Sequence, residues 1–172
     1  LGAFSRIEVD LTDLPEEIFS CIAFFGDTEA SVAFVDEARG RSKSDQDPVQ
    51  ALLLDYIDGT ALDLVREAHP NIPDGAGGAV YFEQVLNGDD DELIFAWAEL
   101  IEQQGALDDW SGFDARERQM MKDMRHDIPE TIHEIVRQRG LSKVATDLAV
   151  PAAALDEMMA AYRRIGHGSG LD

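Results

Sequence analysis

Three apolar runs, Ile18 to Phe25, Val49 to Ile57 and Gly77 to Leu86, each give way to a short polar segment and then to a stretch with helical character. This alternation constrains the fold more than any other feature, because β-branched and aromatic runs bounded by turn residues read as strands. Gly26-Asp27-Thr28 offers Asp27 or Thr28 as the cap of a helix whose interior is Ala30, Val32, Ala33, Phe34, Val35 and Ala38. Asp58-Gly59-Thr60 makes the same change after the second run, and that helix must end before His69-Pro70, since a residue preceding proline avoids helical geometry. Asp89 to Glu92 place four carboxylates at the start of a third helix, where the macrodipole favours negative charge. A metal site is the competing explanation of that acidic cluster.

The rest of the chain follows the same reading. Weak alternation around Phe4 to Val9 and a short segment from Ala106 to Trp110 suggest further strands, and Gly40 to Asp47 reads as a loop. A long helical region covers Asp114 to Arg139, with Met120, Met121, Met124, Ile128, Ile132 and Ile135 at helical spacing; the methionines are therefore core rather than a ligand box. Lys143 to Val150 reads as a strand, and Pro151 starts a last helix to about Arg164. This order predicts an α+β domain with an antiparallel sheet and helices packed mainly on one face. A chain of 172 residues is enough for one well-cored domain.

Charge limits the partners. The formal net charge of -21 argues against nucleic acid, whose binding depends on Lys and Arg, and against anionic membrane surfaces. No apolar run approaches the roughly 18 residues of a membrane span, and a cytoplasmic location is expected. The single cysteine, Cys21, cannot form an internal disulfide and reads as a buried strand position. Residues 113 to 143 reverse the trend, holding seven of the 14 basic groups against six carboxylates. An anion would bind here, if anywhere, although paired charges on a solvated helix give the same pattern.

Within that region Pro129 lies four residues after Arg125. Its ring opposes the Arg125 carbonyl and its missing N–H leaves that carbonyl unpaired, so a kink or break is expected, with Asp127 and Glu130 available as a capping box. Arg125 borders the Met121, Met124 and Ile128 stripe and should be half-buried. Such a guanidinium can hold a carboxylate through two parallel hydrogen bonds. An internal salt bridge to an Asp or Glu is the open alternative. Other catalytic signals are poor: His126 and His133 stand about 10 Å apart along a helix, too far to share a metal. His69 and His167 stand alone, and Gly75-Ala-Gly-Gly78 leads into a strand as a turn rather than into a helix as a phosphate loop.

Four segments taken in order carry a resemblance: Asp58-Gly-Thr-Ala-Leu-Asp-Leu-Val65, Pro73-Asp-Gly-Ala-Gly-Gly-Ala-Val-Tyr-Phe-Glu83, Met124-Arg-His-Asp-Ile-Pro-Glu130, and Thr146-Asp-Leu-Ala-Val-Pro151 with Leu155. Together they resemble the C-terminal cap domain of FAD-linked oxidases in the vanillyl-alcohol oxidase superfamily, which includes D-lactate dehydrogenases, the glycolate oxidase flavin subunit and D-2-hydroxyglutarate dehydrogenase. The resemblance implies a ferredoxin-like cap that closes over a flavin held mainly by a separate FAD-binding domain of the same parent protein. It implies a small 2-hydroxy acid as substrate. Arg125 matches the family arginine that holds the substrate carboxylate, although Met121 or Lys122 stands where a tryptophan is usual. Some members carry a lysine two residues before the strand aspartate; Ala145 takes that place here, and Lys143 lies two positions earlier on the same strand face.

The family's later Gly-His-x-Gly-Asp and second histidine, which supply metal-binding or catalytic groups, have no counterpart; Gly166-His167-Gly168 arrives too early. The expectation is thus a cap domain over residues 1–172, truncated at both ends, with no catalytic residue or metal ligand of its own. The flavin, any divalent metal and the base that takes the hydroxyl proton would come from outside it. The alternative is a free-standing, non-catalytic ligand-binding or dimerisation module, and a homodimer fits either reading.

Overall fold

The computed structural model describes residues 5–11, 14–88, 90–142 and 148–169. Two compact units divide the chain, residues 1–135 and residues 136–172.

The first unit is built on a four-stranded antiparallel sheet of β1 (Glu17–Phe25), β2 (Leu53–Asp58), β3 (Gly78–Leu86) and β4 (Asp108–Gly112), in the order β2-β3-β1-β4. Helices α1 (Thr28–Arg41) and α3 (Asp91–Gln103) connect β1 to β2 and β3 to β4. The arrangement is the ferredoxin-like α+β fold expected, with one addition, the short helix α2 (Gly59–Val65) between β2 and β3.

Local chemistry accounts for these elements. Asp27 caps α1, accepting from the Ala30 amide at 2.8 Å, and Asp58 caps α2 in the same way, accepting from Ala61 N at 2.8 Å. Asp90 is the cap residue of α3, with Asp91 and Glu92 in its first turn. Gly77 shows why that loop carries glycines: a β-carbon there would lie 2.5 Å from the Gly26 carbonyl oxygen, so only glycine lets the two strand ends approach.

Alternation along the strands divides the sheet into two faces. Phe19, Cys21, Ala23 and Phe25 of β1 and Val80 and Phe82 of β3 pack against Phe34 and Ala38 of α1 and Leu93, Ala96, Trp97 and Leu100 of α3. Phe82 and Trp97 stack there with centroids 4.1 Å apart. The buried Gln84 amide joins this core to the segment entering β2: its oxygen accepts from Trp97 Nε1 (2.6 Å) and Gln50 N (2.8 Å), and its nitrogen donates to Pro48 O (2.8 Å).

Both crossover helices thus share one face. On the other face Ile22, Phe24, Ile57, Ala79 and Tyr81 pack with Leu62 and Val65 of α2 and with Met121 and Met124 of α4 (Ala115–Gln138).

Several expectations change. Helix α4 runs without interruption through Pro129, where a break was expected. Met121 and Met124, with Ile128 packed against their cluster, seat the segment before the proline on the sheet, and this packing offsets the missing hydrogen bond. Asp127 is accordingly no cap. Residues 5–11 form no strand, and α1 extends to Arg41 into the expected loop. Met120 is 47% exposed, outside the core.

In the second unit, a 3₁₀ turn at Ala152–Ala154 follows Pro151 and leads into α5 (Leu155–Ser169). Of the expected strand from Lys143 to Val150, residues 143–147 lie outside the described residues, and 148–150 have no regular structure.

Candidate functional site

The face covered by α4 is the polar one. Register places Asp55 opposite Tyr81 and Tyr81 opposite Ile22; on the next rung Leu53 pairs with Glu83 and Glu83 with Ser20. Asp55, Tyr81, Glu83 and Ser20 therefore project to the same side of the sheet. Residues three apart on a helix share a side, and Lys122 and Arg125 of α4 meet these two rungs in turn.

Arg125 Nε donates to Asp55 Oδ2, and the two side chains remain 39% and 37% exposed. The guanidinium carbon lies 5.9 Å from the Tyr81 ring centroid, within cation–π range. The internal salt bridge left open by the sequence is thus formed. On the neighbouring rung the Glu83 carboxylate gathers three partners at Oε1: the Tyr81 hydroxyl donates to it, Ser20 Oγ donates at 3.5 Å, and Lys122 Nζ lies 3.7 Å away. Burial, reinforced by the bond to Glu83, pushes the Tyr81 phenol well above its ordinary range, while Ser20 and the nearby Arg125 pull the other way. Tyr81 is therefore a hydrogen-bond donor here, not a base.

Beside the Arg125 and Asp55 pair opens a cavity of about 330 Å³, lined by Asp55, Asp58, Ala61, Arg125, His126 and Pro129 among others. That volume lies at the low end for small-molecule sites. The proline forms part of the cavity wall instead of breaking the helix.

The histidines fall elsewhere. His69 does not stand alone, because its Nε2 lies 2.7 Å from Asp127 Oδ2, tying the segment after α2 to α4. His126 lines the Arg125 cavity, and the side chain of His167 lies outside the described residues. Among the described residues no group of three or more His, Cys, Asp or Glu side chains could hold a metal ion. Cys21 is buried, and burial raises its thiol pKa, with the negative Asp109 adding to the effect.

Of the two residues chosen from sequence, Arg125 is placed at this cavity and Lys143 lies outside the described residues. Sequence reasoning did not select Asp55, Tyr81, Glu83, Ser20 or Lys122. A signal existed for two of them: Asp55 and Glu83 are the charged residues inside mostly apolar strand runs, and such a charge is seldom buried without a partner.

A family model for the C-terminal domain of FAD linked oxidases matches residues 14–172. The chain belongs to that family. No curated protein matches the chain. For an FAD-linked oxidase C-terminal domain, membership implies an oxidoreductase that carries FAD in its intact form, a partner domain that binds the FAD, and a small substrate. No described helix of this domain is long and apolar enough to cross a membrane.

Proposed function

We propose that this domain is the substrate-binding cap of an FAD-dependent enzyme that oxidises a 2-hydroxy acid of the D-lactate, glycolate or D-2-hydroxyglutarate type, with Arg125 holding the substrate carboxylate. The observation that carries the proposal is the half-exposed Arg125 guanidinium beside a cavity of about 330 Å³, on the polar face of the sheet. A carboxylate beside Arg125 would receive charge-assisted hydrogen bonds, which contribute about 1.5 to 3 kcal/mol each. Lys122 lies one rung away, where its ammonium adds positive charge beside the site and can offer a donor to the oxygen on C2.

The donor set fits a small acid and does not fit the diphosphate of FAD. Gly75 to Gly78 lead into β3, not into a helix N-terminus that could receive a phosphate. We therefore assign the dinucleotide to a separate domain of the parent protein. The FAD supplies oxidising power, and the residues described here bind and orient the acid. Neither Tyr81, held protonated, nor Glu83, occupied by its three partners, is free to accept the proton of the substrate hydroxyl. Lys143 remains a second candidate for the carboxylate on the sequence resemblance alone.

The test is anaerobic mixing of the FAD-loaded parent protein with glycolate, D-lactate and D-2-hydroxyglutarate. Bleaching of the oxidised flavin by at least one of them is expected. Failure of all three would overturn the 2-hydroxy acid reading.

A further inference from the structure

Among the described residues Arg125 engages one of its three nitrogens. Its Nε donates to Asp55 Oδ2, while Nη1 and Nη2 have no acceptor among the described residues. Two other features hold the group close to the sheet. The Tyr81 ring lies 5.9 Å from the guanidinium carbon, and the flanking Met121 and Met124 are fully buried, which holds the backbone of this turn against the sheet. Asp55 is itself fixed by the sheet, where it pairs with Tyr81.

We propose that Asp55 is a positioning residue for the substrate: by holding Nε it turns the Nη1 and Nη2 edge of Arg125 outward as the carboxylate-binding edge. This rests on the reading of Arg125 as the carboxylate anchor and deepens it. A guanidinium can bind a carboxylate side-on, through Nε and one Nη, or end-on, through both Nη atoms. With Nε engaged by Asp55, only the end-on mode remains. A long side chain free to rotate would lose rotamer freedom on binding; one already held by Asp55 and Tyr81 loses less.

Asp55 also brings a negative charge close to the incoming carboxylate, and this produces a distinct opposing hypothesis. If Asp55 occupied the substrate's own place, removing it would tighten binding. If it only braced α4, removing it would change stability and leave binding alone. The positioning role alone weakens binding and allows partial recovery by a residue that retains an acceptor.

The experiment compares the FAD-loaded parent enzyme with its Asp55→Ala and Asp55→Asn variants on whichever 2-hydroxy acid the wild type oxidises best. It also measures equilibrium binding of the corresponding 2-oxo acid by calorimetry. The expected result is KM and the 2-oxo acid Kd raised about tenfold or more in Asp55→Ala, with a smaller change in kcat, and a smaller rise in Asp55→Asn, whose amide oxygen still accepts from Nε. Unchanged or lowered KM and Kd in a folded Asp55→Ala protein would overturn the proposal. If Asp55→Ala fails to fold, Asp55→Leu, of similar size but without an acceptor, decides instead: a raised KM with an unshifted unfolding midpoint supports positioning, and wild-type KM refutes it. A wild type that oxidises none of the acids refutes the carboxylate-anchor reading instead, so the two failures are distinguishable.

Discussion

Replacing Met124 with alanine tests how α4 is seated, and therefore how Arg125 is presented. Met124 is fully buried, packed in the cluster that holds Ile22, Tyr81 and Met121, with Trp110 and Ile128 at its margin. Truncation removes three heavy atoms from a site that cannot collapse easily, because the sheet backs it. Burial lost plus residual cavity places the cost at about 2 to 5 kcal/mol, and we expect about 3. Alanine has slightly better helix propensity than methionine, so Met120→Ala is the matched control: it makes the same change on the same helix at a position 47% exposed, and should stay within about 0.5 kcal/mol of wild type. Urea unfolding followed by tryptophan fluorescence is the assay. Trp97 reports the α1 and α3 face and Trp110 the α4 face, so coincidence of fluorescence with circular dichroism also tests two-state behaviour. A loss under about 1 kcal/mol for Met124→Ala, equal to the control, would refute the claim that α4 is anchored to the sheet through this side chain.

Other perturbations follow from the same structure. Gln84→Leu preserves side-chain volume but leaves Trp97 Nε1, the Gln50 amide and the Pro48 carbonyl without their partner; a loss of about 3 kcal/mol or more in urea unfolding is expected, and a neutral variant would contradict the role of that amide. Asp47 accepts at both oxygens from Arg41 Nε at 3.0 Å, and that bond holds its carboxyl below the ordinary carboxylate range. A depressed pKa stabilises the fold above the unfolded value, about 3.9, and the contribution disappears as pH falls through the folded value. Asp47→Asn should therefore be less stable than wild type by up to about 1 kcal/mol at pH 7, with the gap closing below about pH 4; a gap that persists in acid would refute the ionic origin.

The sequence was most readable where the determinants are local. Asp27 and Asp58 cap helices through amides three residues away, so their roles could be read from the strings that contain them. The strand runs ending at Phe25 and Leu86 were likewise set by composition and by the turns beside them. Pro129 is misleading because its local cost, about 3 kcal/mol in a helix interior, says nothing of the Met121 and Met124 packing that seats the preceding turns. The site itself joins distant segments: Arg125 meets Asp55 70 residues away, and His69 meets Asp127 58 residues away. No spacing rule reaches that far. The family resemblance pointed to Arg125, and only the sheet register shows which carboxylate holds it and which aromatic ring lies beside it.

The central claim is that Arg125 receives the substrate carboxylate, and Arg125→Lys in the FAD-loaded parent enzyme tests it most directly. Lysine keeps the charge but cannot present two parallel donors. Losing one charge-assisted bond of about 1.5 to 3 kcal/mol predicts a fall in kcat/KM of about 10- to 150-fold for the best 2-hydroxy acid, carried mainly by KM, with the flavin still bound. A folded Arg125→Lys enzyme with wild-type kcat/KM would contradict the account.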